Sequence, residues 1–284
     1  MIPESTIIVG VDFKDDTLEI CREAVHYALK LKSSITLVHA IEHEIYYPYF
    51  PYDQDKIDES STIEINNHLD KIESFIKLHH VKFEQPIVRK GRTYEVISTV
   101  ADELNARAIV IGVGKHYLFE ELIGSTTEKV ARMAHQKVII VNYSKHKGVN
   151  NILAAFDFSD GGLYSLKSAV RFANYFNAKL HVLHVHDTNE RDEDIKSCVS
   201  DICQKEIKEE SKLLQRETDI QCETIIRKGN IVIEVLDCIK EKNIDLLSIG
   251  SSGHSAITRF FLGSTVAKII RTAPCSIVVS PKSL

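Results

Sequence analysis

The chain has 284 residues, 44% of them hydrophobic and 26% charged, with a formal charge of −5. That is apolar material for one large or two ordinary globular domains. Lys and Arg are scattered, so no basic block is available to displace counterions from a nucleic acid, and such a partner is not expected. No run reaches the ~18 apolar residues of a spanning helix. Met-Ile-Pro-Glu-Ser-Thr does not open like a signal peptide, so none is expected. The six cysteines, at 21, 198, 203, 222, 238 and 275, form no Cys-x2-Cys. They are expected as free thiols in a reducing cytoplasm, with Cys21, Cys238 and Cys275 in the core.

Taken in order, Ile7 to Val11 predicts a strand that runs into Asp12. Residues 15–32 carry Leu18, Cys21, Ala24, Val25, Ala28 and Leu29 at helical spacing. Ile35 to Ala40 predicts a second strand. Residues 42–58 hold Tyr46, Tyr47, Tyr49 and Tyr52 around Pro48 and Pro51, which exclude a regular helix or central strand. The Tyr46–Tyr52 loop reads as a lid, a partner surface, or a loop packed on its own aromatics. Ile63 to Leu78 predicts a helix, Val81 to Arg89 a strand, Tyr94 to Leu104 a helix and Ala108 to Ile111 a strand. A helix from near Gly124 to His135 and a strand from Val138 to Val141 close this half.

After the polar stretch 145–150 the pattern restarts. Ile7-Ile-Val-Gly-Val-Asp-Phe and Ile152-Leu-Ala-Ala-Phe-Asp-Phe are 145 residues apart, as are Val38-His39 and Leu183-His184. Arg89-Lys-Gly91 returns as Arg227-Lys-Gly229. Landmarks in fixed order at a nearly constant offset indicate duplication. Each half reads β-α-β-α-β-α-β-α-β, which implies an α/β fold: a doubly wound parallel sheet with helices on both faces. Ligands bind such sheets beyond the carboxyl ends of the strands. In the second half those ends are Asp157, after the first strand, and Gly250, after the fourth.

Gly250-Ser-Ser-Gly253 is followed after nine residues by Gly263-Ser264-Thr265 and then by Val266, Ile269 and Ile270 at helical spacing. This reads as an anion cradle. Glycines let backbone approach a ligand, and the first turn of a helix offers N–H groups and a positive dipole end. The bland alternatives are a strand–loop–helix with a Ser cap, and for Asp157 a turn or cap role.

The spacing Gly-x2-Gly-x9-Gly-Ser resembles the ATP-binding motif of the universal stress protein family, and both halves look like its domains. The resemblance implies a tandem member, with domains at 1–146 and 147–284 and five parallel strands in the order 3-2-1-4-5 in each. It assigns ATP or a related adenine nucleotide, with or without Mg2+, to the second domain. The contacts it implies there are Asp157, the Val185 backbone, Gly250, Ser252, Gly253, Gly263, Ser264 and Thr265. In the first half they fall on Asp12, Ala40, Gly112, Gly114, Gly124, Ser125 and Thr126. There the first glycine interval is one residue short, and Glu120 and Glu121 add negative charge that Lys115 offsets. Pairing through the last strands, Val138–Val141 with Ser276–Val279, is implied as an intramolecular pseudo-dimer, with a homodimer as the alternative. The implied role is a cytoplasmic, nucleotide-responsive regulator of stress response.

Two other readings stay open. His184 and His186 share a strand face and offer a pair of zinc ligands for a metal-binding protein or hydrolase. A scaffold with a vestigial pocket is the other. No Walker A, Gly-x-Gly-x2-Gly or Gly-x-Ser-x-Gly is present. No catalytic residue is assigned, and at most slow ATP hydrolysis is expected.

Overall fold

The computed structural model describes residues 5–13, 16–42, 59–113, 126–142, 148–186, 191–214, 218–251 and 262–281. The chain divides into two compact units, Met1–Gly112 and Val113–Leu284.

The first unit holds β1 (Thr6–Gly10), α1 (Thr17–Leu31), β2 (Ser34–Ile41), α2 (Glu59–Leu78), β3 (Ile87–Lys90), α3 (Thr93–Glu103) and β4 (Ala108–Gly112). Its strands are parallel and lie in the order β3-β2-β1-β4. Ile7, Ile8 and Val9 are fully buried. Successive strand residues point to opposite faces, so both faces of this sheet are covered. In α1, Cys21, Ala24, Val25 and Ala28 are buried as the periodicity predicts, and Ile20, outside that pattern, is buried too. Leu18 and Leu29, counted in the same apolar pattern, are 48% and 50% exposed, on the far side of the helix. The strand expected over Val81–Arg89 is broken. Phe83 makes an isolated bridge to Ile35, and β3 begins only after Pro86, which has no N–H for the ladder.

The second unit holds α4 (Thr126–Met133), β5 (Lys137–Val141), β6 (Asn151–Ala155), α5 (Asp160–Phe176), β7 (Lys179–His186), α6 (Asp192–Leu214), β8 (Cys222–Lys228), α7 (Ile231–Glu241), β9 (Leu246–Gly250), α8 (Ser264–Thr272) and β10 (Ser276–Ser280). Strands β8-β7-β6-β9-β10 are parallel neighbours in that order. β10 also runs antiparallel to β5, pairing Ile277 with Ile140 and Val279 with Val138. The last strands of the two repeats therefore share a ladder, which satisfies edge groups that would otherwise invite aggregation. Helix caps follow the sequence: Ser159 Oγ accepts from Gly162 N, Asn230 Oδ1 accepts from Val232 N and Ile233 N, and α5 ends at left-handed Asn177.

The repeated Arg-Lys-Gly has a structural reason in both halves. Arg89 makes a two-pronged ion pair with Glu103 at 2.9 and 2.7 Å, and Arg227 pairs with Glu234 and Glu241. Gly91 and Gly229 follow with φ of 141° and 150°, a region that L side chains rarely adopt.

Candidate functional site

In the second half the site begins where β6 ends. Phe156 N donates to Leu183 O at 2.9 Å, one rung beyond the strand. Asp157 then turns the chain into α5. Its Oδ1 accepts the Ser159 backbone N–H at 3.0 Å and the Ser159 hydroxyl at 2.5 Å, while Ser159 Oγ caps Gly162 N at 3.0 Å. Asp157 therefore has the local turn role that its residue type suggested. The first turn of α5 sits directly on it: a Cβ on Gly162 would lie 2.4 Å from Asp157 Oδ1.

Gly250 is drawn into the same place. A Cβ there would fall 2.6 Å from the Gly161 carbonyl. The structure thus brings the Asp157 turn and the end of β9 together at the start of α5. It also adds a structural reason for this glycine, because the backbone of α5 approaches Gly250 closely.

The Gly-rich loop leaves and returns at one point. Ser251 N donates to Ser280 O at 2.9 Å, and Gly263 N donates to Ser251 O at 3.2 Å. Gly263 is the N-cap of α8, with φ −58° and ψ 144°, and a Cβ there would meet nothing closer than Val266 Cγ2 at 3.8 Å. Space, not backbone strain, distinguishes Gly263. Ser264 and Thr265 form the first turn of α8, which contains no acidic residue, and Ser264 is exposed. First-turn N–H groups have no partner within their own helix. Ser252 and Gly253 lie outside the described residues.

Val185 is placed by strand geometry. In a parallel strand, alternate residues direct their backbone N–H and C=O to the same side. Leu183 O faces β6, since it accepts from Phe156 N. Val185 therefore faces the same side, past the last rung of β6 and above the Asp157 turn. The first half repeats this: Val11 N donates to Val38 O at 3.0 Å, so Ala40 faces past the end of β1.

The histidines are tied to the same strand ends. His184 Nδ1 donates to Phe156 O at 2.8 Å, and His39 Nδ1 donates to Val11 O at 2.8 Å. An accepting carbonyl requires the proton on Nδ1. Phe158 and Phe13, at φ 60° and 57°, set their rings 4.9 and 4.5 Å from these histidines. Each repeat therefore pins its first strand to its second by the same His–carbonyl bond beneath the same left-handed Phe. His186 Nε2 bonds Asp192 Oδ1 at 3.0 Å, and its ring stacks on His184 with centroids 6.1 Å apart. Among the described residues, no group of three His, Cys, Asp or Glu is arranged to hold a metal.

The first half differs at its acid. Asp12 Oδ1 accepts a long 3.5 Å bond from Thr17 Oγ1, and at the 145-residue offset in the sequence Lys14 corresponds to Ser159. Gly112 ends β4 and Thr126 opens α4. Gly114, Lys115, Glu120, Glu121, Gly124 and Ser125 lie outside the described residues, as does the Tyr46–Tyr52 loop. Burial pushes the Cys21 thiol up to about 12 and the Cys238 thiol up to about 11, so these two are far from a thiolate at neutral pH.

Sequence reasoning missed Phe158, Ser159, Gly161 and Gly162 as parts of this corner. The signal was present in Asp-Phe-Ser-Asp-Gly-Gly, where an acid, a cap residue and two glycines open a helix.

The model of the family described as "Universal stress protein family" matches residues 5–142 and again 148–281. The universal stress protein YxiE of Bacillus subtilis is 30% identical over 144 residues, covering 46% of this chain and 97% of the relative. A universal stress protein of Methanocaldococcus jannaschii is 26% identical over 165 residues, covering 55% of this chain and 97% of that protein. The crystal structure of a universal stress protein from Archaeoglobus fulgidus superposes with a TM-score of 0.73 at 20% identity, over 98% of this chain and 96% of that one.

Proposed function

This chain belongs to the universal stress protein family, as a tandem member, and we propose that it binds ATP or a related adenine nucleotide mainly in its second half. The supporting observation is the convergence of three features at the β6–β9 corner. These are the Asp157 turn, the backbone of Val185 facing beyond β6, and the first turn of α8 with open space at Gly263. A purine edge takes paired backbone donors and acceptors, a ribose takes a carboxylate, and phosphates take helix N-terminal N–H groups. Asp157, Val185, Gly250, Gly263, Ser264 and Thr265 supply those groups, with Ser252 and Gly253 in the intervening loop. The domains are proposed at 1–146 and 147–284, with the β5–β10 ladder as the seam of an intramolecular pseudo-dimer. The role is a cytoplasmic regulator that responds to nucleotide in stress.

The test is the ligand content of freshly purified protein. Denaturation followed by nucleotide chromatography is expected to release one adenine nucleotide per chain, and Gly263→Leu should abolish it. An empty protein that also fails to bind added ATP would sink the reading and leave the scaffold alternative.

A further inference from the structure

A second polar feature lies away from the β6–β9 corner, further along α5. A cavity of about 130 Å³ opens between the middle of α5, the end of β10 and the start of β5. Lys137, Lys167 and Arg171 line it, together with Tyr164, Ser168, Ser280 and Pro281, and among the described residues no acidic side chain does. We propose that this cavity is a binding site for a phosphate dianion, either inorganic phosphate or the phosphoryl group of a phosphomonoester.

Three features mark a built site. Arg171 Nε donates to Glu210 Oε2 at 3.3 Å, and that carboxylate side chain is only 6% exposed. A buried acid behind a half-exposed guanidinium fixes its plane and directs its remaining N–H groups, the forked arrangement that suits phosphate oxygens. The floor is polar although buried: Ser168 is 3% and Ser280 1% exposed. Ser280 Oγ donates to Ser168 Oγ at 2.9 Å, so Ser168 keeps its own proton for another acceptor. Finally, the fold does not require this chemistry. One repeat earlier, at the 145-residue offset, Tyr164, Lys167, Ser168 and Arg171 correspond to Glu19, Arg22, Glu23 and His26. The first repeat places two acids where the second has none.

The lysines beside the Glu210-paired Arg171 make the cavity attractive to anions, and a doubly charged phosphate gains more from that field than a monoanion does. The small volume holds the phosphoryl group itself and leaves any organic remainder at the mouth.

The experiment is calorimetric titration of the full-length protein, in low-salt buffer free of phosphate and sulfate, with inorganic phosphate and separately with glycerol phosphate. Saturable binding with a dissociation constant of about 1 mM or tighter is expected for at least one, and the tighter ligand identifies the source. Lys167→Gln and Lys137→Gln should each weaken it about tenfold, the loss of one charge-assisted contact, while Lys167→Arg retains it. Lys167 is exposed, so its variants are expected to fold, and thermal unfolding of each variant checks this. The proposal is overturned if neither anion saturates by about 10 mM. It is equally overturned if binding is unchanged in both glutamine variants, because the anion then sits elsewhere, for example at the start of α8.

Discussion

A Cβ placed on Gly250 would fall 2.6 Å from the carbonyl carbon and oxygen of Gly161, so β9 ends hard against the first turn of α5. Neither atom belongs to a flexible side chain that can move aside. Gly250→Ala must therefore push β9 and α5 apart, at a cost of about 1–3 kcal/mol by analogy with overpacked cores. Gly263→Ala, with no atom nearer than 3.8 Å to its new Cβ, should change stability by less than about 0.5 kcal/mol. Denaturant unfolding of both variants checks the pair. Equal losses would mean that Gly250 is not held by this contact.

The His184–Phe156 bond and its twin, His39–Val11, predict matched behaviour in the two halves. Replacing either histidine with Ala strands a carbonyl at a strand end and should cost about 1–3 kcal/mol. Elemental analysis of the purified protein should find no zinc whose retention depends on His184. Bound zinc that disappears in His184→Ala would restore the metal reading.

Arg271 reaches from α8 to Glu128 on α4, with Nε 2.5 Å from Oε1 and Nη2 2.9 Å from Oε2. The Glu128 side chain is only 2% exposed. Arg271→Ala removes the guanidinium from a buried carboxylate and should cost about 3–5 kcal/mol. The double variant with Glu128→Leu should recover much of that loss, because no charge is then left buried. A loss below about 1 kcal/mol in the single variant would show that the pair is solvated like an ordinary surface bridge.

His181 sets an acid limit on stability. It is 2% exposed, and its Nδ1 lies 3.1 Å from Glu223 Oε2 but out of line for a hydrogen bond. Burial lowers its pKa below 6.5, opposed by Glu223 and reinforced by Lys179 and Lys242. The unfolded chain therefore takes the proton first, and this contribution is lost as pH falls below 6.5. Glu223 works in the same direction at lower pH. Lys242, with Lys179, holds it near 2 despite partial burial, so its contribution is lost as pH falls from 4.5 toward about 2. Urea midpoints at pH 7.5 and 5.5 should show a fall that is reduced in His181→Leu. Equal falls in the two proteins would remove His181 as the cause.

The sequence by itself determined the duplication, the alternation of strands and helices, and the identities of Asp157, Gly250 and Gly263 as marked positions. Those features are local: apolar period, turn residues and spacing are written along the chain, and Ile152, Leu153 and Ala154 are buried because their strand carries no polar residue there. Only the tertiary structure decided why each mark is needed. Gly250 answers to Gly161, 89 positions earlier in the chain. His184 answers to a carbonyl on the neighbouring strand, and Val185 matters for the side to which its backbone turns after β6 has ended. The cavity beside Arg171 joins one face of α5 to Lys137 on β5 and Ser280 on β10, which lie far from it along the chain. Contacts between distant segments depend on strand order and helix placement, which chain-local periodicity does not encode.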